Sequence, residues 1–302
     1  MNIEKTSQPL NATEARLSTE AVNILHFDSE SSHYDAQFGL SVEHARARVR
    51  HIFQHTQRPI QFGEALDMGC GTGNLSAALV LEAAASTCIG LDISPGMVQV
   101  AQAKTRGIAG CSFRVGSATD LPFQDEKFDL CVGDAFLHHI LDIEACLREV
   151  FRVLKPGGVA TFNEPNAHGY AFLEFVLQTI QLGRGAHDDA LDSYLHALCF
   201  MRENQGDLVA LAAYPLPDKH VFSAERIGAA AAATGFSATS WIPAMGPTPT
   251  LWRDALGYIL DAIKPSASVR TATLEAAKVL DLTLGDESRQ HFCLHNQYYL
   301  YK

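Results

Sequence analysis

The segment of this chain with the clearest chemical content is Ala65-Leu66-Asp67-Met68-Gly69-Cys70-Gly71-Thr72-Gly73-Asn74. An apolar pair leads into the acidic Asp67, and three glycines follow at alternate positions. This order predicts a strand that turns tightly into a helix. Small residues there let a ligand approach the backbone, and the first N–H groups of the helix are free to bind it. The carboxylate of Asp67 favours a ligand that carries a positive charge.

Two common nucleotide-binding patterns do not fit this loop. The dinucleotide fingerprint GxGxxG requires a third glycine where this chain has Asn74. The Walker loop requires Lys followed by Ser or Thr, and no such pair follows the glycines. An NAD-dependent dehydrogenase is therefore disfavoured.

An alternation of strands and helices positions the loop. Between residues 64 and 163, short apolar runs alternate with helical patterns, which predicts parallel strands joined by crossover helices in a doubly wound α/β sheet. The candidate strands are 64–68, 87–92, 111–115, 128–133 and 158–163, with two later ones at 236–242 and 291–301. The candidate helices between the first five strands are 73–84, 95–106 and 143–153.

Four regions are expected along the chain. Because insertions after the carboxyl ends of strands lie over the ligand crevice of such a sheet, the helical stretches beyond residue 165 are expected to cover the site. The regions are an N-terminal helical cap at 1–60, a ligand-binding core at 61–165, a helical insert forming a substrate lid at 166–222, and the remainder of the core at 223–302 with a further insert at about 243–289.

Composition narrows the class of partner. The 302 residues carry a formal net charge of -11, which argues against a nucleic-acid substrate and against an anionic membrane surface. No apolar run approaches the roughly 20 residues of a spanning helix, and the N-terminal residues lack a signal-peptide core. The seven cysteines form no CxxC pair, which indicates buried, reduced thiols in a cytoplasmic protein.

Four further segments join the glycine loop in carrying a family resemblance. In order and spacing, the five resemble class I S-adenosylmethionine (SAM)-dependent methyltransferases, in particular the small-molecule group with a type-11 methyltransferase domain. The resemblance implies a Rossmann-like sheet of seven strands with the last strand antiparallel, and SAM as the cofactor with S-adenosylhomocysteine (SAH) as its product. The four segments are Gly90–Met97, Gly116–Phe123, Phe128–His139 and the turn Val153–Gly158.

The resemblance assigns cofactor contacts to these segments. Asp67 would face the α-amino group of SAM, and Asp92, about 20 residues after the loop, would accept the ribose hydroxyls. Ser117 stands where the family often has Asp, so it would bind the adenine amino group through water or leave that role to the backbone of Ala118. The residues expected to bind SAM are Tyr34, Asp67, Gly69, Cys70, Gly71, Gly73, Asn74, Asp92, Ile93, Met97, Ser117, Ala118, Asp134 and Ala135.

The acceptor side is less defined by the sequence. Glu164 ends the fifth predicted strand, where a carboxylate can bind a substrate amine or take a proton, or else hydrogen-bond to the loop backbone. The candidate catalytic residues are Glu164, His139, His138 and Tyr34. The candidate substrate-binding residues are Glu164, His168, Tyr170, His220 and Trp241. Neither an HxxxH nor an HExxH pattern includes His138 or His139, so no metal site is expected.

The leading functional hypothesis is transfer of a methyl group from SAM to an O, N or C atom of a small metabolite of secondary metabolism. An apolar or aromatic acceptor is favoured because the inserts are rich in aromatic residues, although these residues would equally serve as the core of the inserts. The alternatives are a SAM-binding enzyme that catalyses decarboxylation, hydroxylation or cyclisation, and a non-catalytic partner protein. A homodimer is compatible with the sequence. The aromatic residues are Phe172, Phe175, Phe200, Tyr214, Trp241, Trp252 and Tyr258.

Overall fold

A single mixed sheet organises the part of the chain that the structure describes. In this computed structural model the strand order is β3-β2-β1-β4-β5-β7-β6, and β7 is antiparallel to both of its neighbours. The predicted α/β class and the seven-stranded sheet with an antiparallel last strand are confirmed. The described residues are 11–38, 41–55, 61–184, 188–214, 216–244 and 251–302.

The strands match the predicted positions closely. They are β1 (Phe62–Met68), β2 (Ala85–Asp92), β3 (Cys111–Val115), β4 (Phe128–Asp134), β5 (Leu154–Pro165), β6 (Ala238–Pro243) and β7 (His295–Tyr301). One difference is the predicted turn at Val153–Gly158, most of which lies within β5. The strand accommodates it through a register shift between Phe128 and Leu130 of β4 and through Gly157, whose φ is +77°.

The helices cover both faces and the crevice of the sheet. The first eight are α1 (Ala12–Glu30), α2 (Tyr34–Phe38), α3 (Val42–Gln54), α4 (Asn74–Leu81), α5 (Pro95–Lys104), α6 (Ile143–Val153), α7 (Ala167–Arg184) and α8 (Asp189–Glu203). They are followed by α9 (Leu208–Ala213), α10 (Ala224–Thr234), α11 (Leu251–Ile263), α12 (Ala267–Thr283) and α13 (Asp286–His291). None of these described helices is both long and apolar enough to cross a membrane.

Two apolar layers lie on opposite faces of the sheet because neighbouring side chains of a strand point to opposite sides. Leu66 belongs to the layer that includes α6 and α10, whereas its neighbour Ala65 belongs to the layer that includes α3 and α4. A separate cluster joins the inserts to one another, with Leu173 and Leu177 of α7 packed among Trp252 and Leu256 of α11. The inserts therefore have an apolar core of their own.

The strand order reverses direction between β1 and β4. Asp67 of β1 is in register with Gly90 of β2 on one side and with Val132 of β4 on the other. The carboxyl ends of these three parallel strands therefore meet at one point of the sheet edge. Ligands of open α/β sheets bind at such a switch point.

Candidate active site

A cavity of about 640 Å³ opens at this switch point. Its volume falls within the roughly 300–1,000 Å³ that small-molecule sites occupy. Every residue that the sequence assigned to SAM lines it except Gly73, and His139 and Tyr170 line it as well. The cofactor candidates on the wall are Tyr34, Asp67, Gly69, Cys70, Gly71, Asn74, Asp92, Ile93, Met97, Ser117, Ala118, Asp134 and Ala135.

The glycine loop needs its glycines for two different reasons. Gly69, Gly71 and Gly73 all have positive φ, at +64°, +49° and +81°. A Cβ on Gly69 would lie 2.4 Å from Cδ2 of Phe136, whereas a Cβ on Gly71 would meet no protein atom within 4 Å. Gly73, the N-cap of α4, is absent from the wall, and a Cβ on it would lie 2.9 Å from Cβ of Ala101 and 3.0 Å from the ring of Phe113. Gly71 thus leaves open space where a ligand can reach the backbone.

Asp67 is a buried carboxyl at the centre of an acidic cluster. Its side chain accepts a 2.5 Å hydrogen bond at Oδ2 from Ser76 Oγ. Burial, together with the negative charges of Asp134 and Asp92, raises the pKa of Asp67 to about 7, against the lowering effect of the Ser76 hydrogen bond. A cationic ligand group in the cavity would relieve this penalty.

Asp92 is held by backbone N–H groups from two elements. Gly71 N donates to its Oδ2 at 2.8 Å and Ser94 N donates to its Oδ1 at 2.9 Å. Burial raises the pKa of this carboxyl as well. Since a carboxylate offers about four acceptor positions, both oxygens retain capacity for hydroxyl donors.

Glu20 of α1 is a cavity residue that the sequence analysis missed. Ser117 Oγ donates to Glu20 Oε1 at 2.8 Å, and Thr119 Oγ1 lies 3.2 Å from the same oxygen. Glu20 therefore brings a carboxylate next to Ser117, where the family often has Asp. The spacing of Arg16, Glu20 and Phe27 on one face of α1 is the signal that could have indicated it, since residues three and four apart share a helix face.

Two further carboxylates connect helices α1 and α2 to the loops that follow β1 and β2. Asp28 Oδ1 accepts a 2.8 Å hydrogen bond from Gly96 N and another from the Ser94 hydroxyl. Asp35 accepts 2.5 and 3.0 Å bonds from the side chains of Thr72 and Asn74 and forms an ion pair with Lys104. The rings of Phe27 and Tyr34, beside these carboxylates, line the cavity.

Asp134 is neutralised by a residue that the sequence did not single out. Arg48 Nε of α3 lies 2.7 Å from Asp134 Oδ2, and Asn163 Nδ2 donates to Oδ1 at 2.7 Å. Arg48 and Asn163 also line the cavity, together with His295 at the start of β7. These residues come from segments distant in sequence, and no local motif marks them.

Glu164 does not lie on the cavity wall, which corrects the expectation of direct substrate contact. Its side chain is fully buried. Oε1 accepts hydrogen bonds from Phe136 N at 3.0 Å and Leu137 N at 2.7 Å, and Oε2 accepts one from His138 N at 3.2 Å. Oε2 also lies 2.7 Å from His138 Nδ1. The alternative that Glu164 binds the loop backbone is the one that the structure shows.

The paired histidines have different surroundings. Burial lowers the pKa of His138, but the hydrogen bond and charge of Glu164 outweigh it, and the net shift is upward. Burial and the neighbouring His138 lower the pKa of His139 to about 3, so its imidazole is neutral. His139 lines the cavity, with its ring centroid 5.1 Å from that of Phe27, whereas His138 does not.

Of the candidate substrate residues, Tyr170 lines the cavity, and His168, His220 and Trp241 do not. His168 stacks on the ring of His291, and buried His220 lies with Nε2 3.2 Å from the carbonyl of Leu141. Burial and the charge of Arg226 lower the pKa of His220 to about 3. Trp241 is on β6, which is an edge strand far from the switch point, and it is 41% exposed.

Of the seven aromatic residues named for the inserts, none whose side chain is described lines the cavity, and the insert residue Tyr170 lines it instead. Phe172 and Trp252 pack against each other at 5.3 Å inside the insert core, and Phe200 stacks on Tyr214 at 4.2 Å. The side chain of Tyr258 lies outside the described residues. The wall on this side is apolar all the same, built from Ile140, Leu141, Ile259, Cys293 and Leu294.

Known proteins resemble the chain most clearly over its core. The sequence profile described as "Methyltransferase domain" matches residues 66–162. A demethylmenaquinone methyltransferase of Staphylococcus carnosus is 41% identical over 98 residues, which are 32% of this chain and 41% of that protein. A malonyl-[acyl-carrier protein] O-methyltransferase of Methylococcus capsulatus is 31% identical over 45% of each chain. The chain spans about half the length of the curated relatives it matches.

Solved structures share the fold at low sequence identity. The YcgJ protein of Bacillus subtilis superposes with a TM-score of 0.51 at 20% identity, covering 85% of this chain and 98% of that one. Phosphoethanolamine N-methyltransferase 2 of Haemonchus contortus, crystallised with SAH, gives 0.53 at 15% identity over 97% of this chain and 59% of that one. Residues 66–162 therefore match the family model of a methyltransferase domain, and the solved structures share the fold of this chain.

Proposed function

We propose that this protein is a SAM-dependent methyltransferase that acts on a small metabolite. The observation that carries the proposal is the placement of Asp67 and Asp92 on adjacent strand ends, with the open backbone of Gly71 beside them, in a cavity of about 640 Å³. Buried carboxylates suit a cationic ligand, and the space left by Gly71 suits close backbone approach. The residues present therefore fit SAM.

Each part of the cofactor has a proposed partner in this chain. Asp67 would bind the α-amino group and Asp92 the ribose hydroxyls. Ile93 and Met97 would flank the adenine ring, and Ser117 with Glu20 would bind its amino group. Glu20 replaces the carboxylate that Ser117 lacks, which removes the main departure of this sequence from the family pattern. Tyr34, with Phe27, would cover the cofactor.

The chemistry that SAM supplies is a methyl carbon already activated by the sulfonium. The protein then has to align the acceptor atom with that carbon and to exclude water. Helices α1 and α2 over the cavity and the apolar wall at Ile140, Leu141 and Ile259 would do both. His139 is the proposed contact to the acceptor, because its neutral ring lies on the wall; with a pKa of about 3 it is too weakly basic to act as a general base. Glu164 and His138 would position it.

The proposed acceptor is a small, at least partly apolar metabolite, methylated on O, N or C. The apolar wall beside Tyr170 supports this class. A role in secondary metabolism is part of the proposal, and the matched malonyl-[acyl-carrier protein] and demethylmenaquinone methyltransferases share too little of the chain to specify the acceptor. A cytoplasmic location is proposed because all seven cysteines are free thiols.

Two measurements test the proposal. Isothermal titration of the purified chain with SAH should show one site, and absence of heat at high protein concentration would refute SAM dependence. Incubation with methyl-labelled SAM and a metabolite extract should then move the label to a new compound. Turnover of an acceptor with the label retained on SAM would instead identify a non-methylating SAM enzyme.

A further inference from the structure

A cluster of three potential metal ligands lies at the edge of the cavity. His138, His139 and Asp218 each offer one donor atom, and the three atoms lie within 4.8 Å of one another. We propose that these residues bind one divalent transition-metal ion such as Zn²⁺ or Co²⁺. No spacing pattern in the sequence marks the site, because Asp218 follows the two histidines only after a long helical insert.

The separations of the donor atoms suit a single ion. Asp218 Oδ1 lies 3.2 Å from His139 Nδ1 and 3.8 Å from His138 Nε2. Nitrogen and carboxylate ligands bind zinc at about 2.0–2.2 Å, which places two ligands of one ion roughly 3–4 Å apart. Two imidazoles and a carboxylate also form a donor set that these borderline ions prefer.

Glu164 gives His138 the outer partner that metal-binding histidines usually have. Its Oε2 lies 2.7 Å from His138 Nδ1, so a neutral His138 donates its proton there and leaves the lone pair of Nε2 for an ion. The carboxylate is fixed in turn by the N–H groups of Phe136, Leu137 and His138. This explains why a fully buried glutamate stands behind the pair.

The backbone holds Asp218 beside the two histidine rings. Lys219 N donates a 2.7 Å hydrogen bond to the carbonyl of His138, which fixes the neighbouring Asp218 beside the two rings. The ammonium of Lys219 donates to the carbonyl of Tyr214 at 2.7 Å. The carboxylate of Asp218 is about half exposed, so an ion can reach it from solvent.

The Nδ1 atom of His139 is compatible with a ligand that lies between it and Asp218. This atom is buried and makes no hydrogen bond, although Asp218 Oδ1 is only 3.2 Å away. Buried polar atoms are almost always satisfied, and an ion between the two groups would satisfy this one. His139 also lines the cavity. If the proposed function holds, an ion there can polarise an oxygen of the acceptor.

Cobalt binding tests the site without any assay of activity. The full chain is stripped with a chelator and titrated with Co²⁺ while the visible d–d absorption is recorded, and the metal content after dialysis is measured by mass spectrometry. We expect about one ion per chain. Asp218→Ala and His139→Ala should each weaken binding by ~100-fold or more, because a direct ligand is lost.

Two other pairs of histidine rings provide matched controls. His51 and His55 are 5.0 Å apart, and His168 and His291 are 5.1 Å apart. His55→Ala and His291→Ala should leave the cobalt spectrum unchanged, and loss of binding in either one would overturn the assignment. A strong sulfur-to-cobalt absorption band would also overturn it, because the ion would then be on cysteines.

SAH binding separates this proposal from the proposed function. A wild-type chain that binds SAH but takes up no Co²⁺ refutes the metal site and leaves the methyltransferase proposal intact. A chain in which His138 merely bridges Glu164 and Asp218 as an imidazolium would give that result. Uptake of one Co²⁺ that is lost in Asp218→Ala supports the site whether or not SAH binds.

Discussion

The carboxylate of Glu164 and the imidazole of His138 are joined by a 2.7 Å contact between Oε2 and Nδ1 that is buried beneath the ligand cavity. The backbone N–H of His138 binds the same oxygen, at 3.2 Å. Glu164 therefore organises the turn after β4, and that turn presents His139 to the cavity. A residue that looked like a substrate contact in the sequence stabilises the wall instead.

Replacement of this carboxylate should destabilise the fold. In Glu164→Gln, whichever way the amide is oriented, its NH₂ faces N–H donors that now lack an acceptor. Unsatisfied buried donors cost about 1–3 kcal/mol each, so we expect the free energy of unfolding to fall by at least about 2 kcal/mol. Urea denaturation followed by circular dichroism measures it. Glu64→Gln is the control, because Glu64 is partly exposed and its carboxylate makes only a long contact of 3.9 Å with the ammonium of Lys127. Equal urea midpoints of unfolding for the two variants would contradict the role of Glu164.

Two glycine substitutions in one loop should have different effects. Gly69→Ala combines left-handed strain with overlap on Phe136 and should cost roughly 2–4 kcal/mol of stability. Gly71→Ala carries strain of about 1–2 kcal/mol but no overlap, and its methyl group would enter the cavity. It should therefore weaken SAH binding by ~10-fold or more while lowering Tm less than Gly69→Ala does. Calorimetric titration and thermal melts of both variants test this contrast, which fails if Gly71→Ala binds SAH normally.

Asp92 should contribute directly to cofactor affinity. Asp92→Asn keeps an acceptor for Gly71 N or Ser94 N but removes the charge that strengthens hydrogen bonds to the ribose. The loss should be ~1–3 kcal/mol, or about 10- to 100-fold in Kd for SAH. The exposed Asp120 provides a comparison, since Asp120→Asn removes an equal charge outside the cavity. Unchanged Kd in Asp92→Asn would exclude the ribose contact.

The buried carboxyl of Asp67 should make stability depend on pH. Its pKa of about 7 in the folded protein lies above the ordinary 3.8, so the folded state binds the proton more tightly than the unfolded state does. Stability from this group is present below about pH 4 and is lost as the pH rises through 7. Asp67→Asn should remove the dependence and be more stable than the wild type at pH 8 by up to about 4 kcal/mol. Urea unfolding at pH 5 and pH 8 measures the change, and a difference that does not grow with pH would refute the assigned pKa.

The sheet was predictable because its determinants are local. In the sequence each apolar run is followed by turn residues. Asp67 and Asp92 could therefore be assigned to the ends of strands from local sequence alone. The ends of β5 were less predictable, because Lys155 and Gly157 form an irregular part of a strand and the sequence pattern indicates a turn.

The cavity residues outside the strand-end motifs could not be predicted, for a physical reason. Glu20, Arg48 and His295 reach the cavity from opposite ends of the chain, and their positions are set by tertiary packing. Local sequence also cannot decide whether Glu164 faces a ligand or a backbone turn. The aromatic residues Phe172 and Trp252 pack in the apolar core of the inserts. Composition alone does not distinguish such core residues from residues that line a pocket.

The helix α1 that covers the cavity is attached mainly by polar contacts. Its buried residues are Ala15, Thr19 and Asn23, while Leu17 and Leu25 are exposed. A segment with so little buried apolar surface can detach at a free-energy cost well below that of global unfolding. Detachment of α1 would therefore open the cavity to a nucleoside while the sheet beneath stays folded.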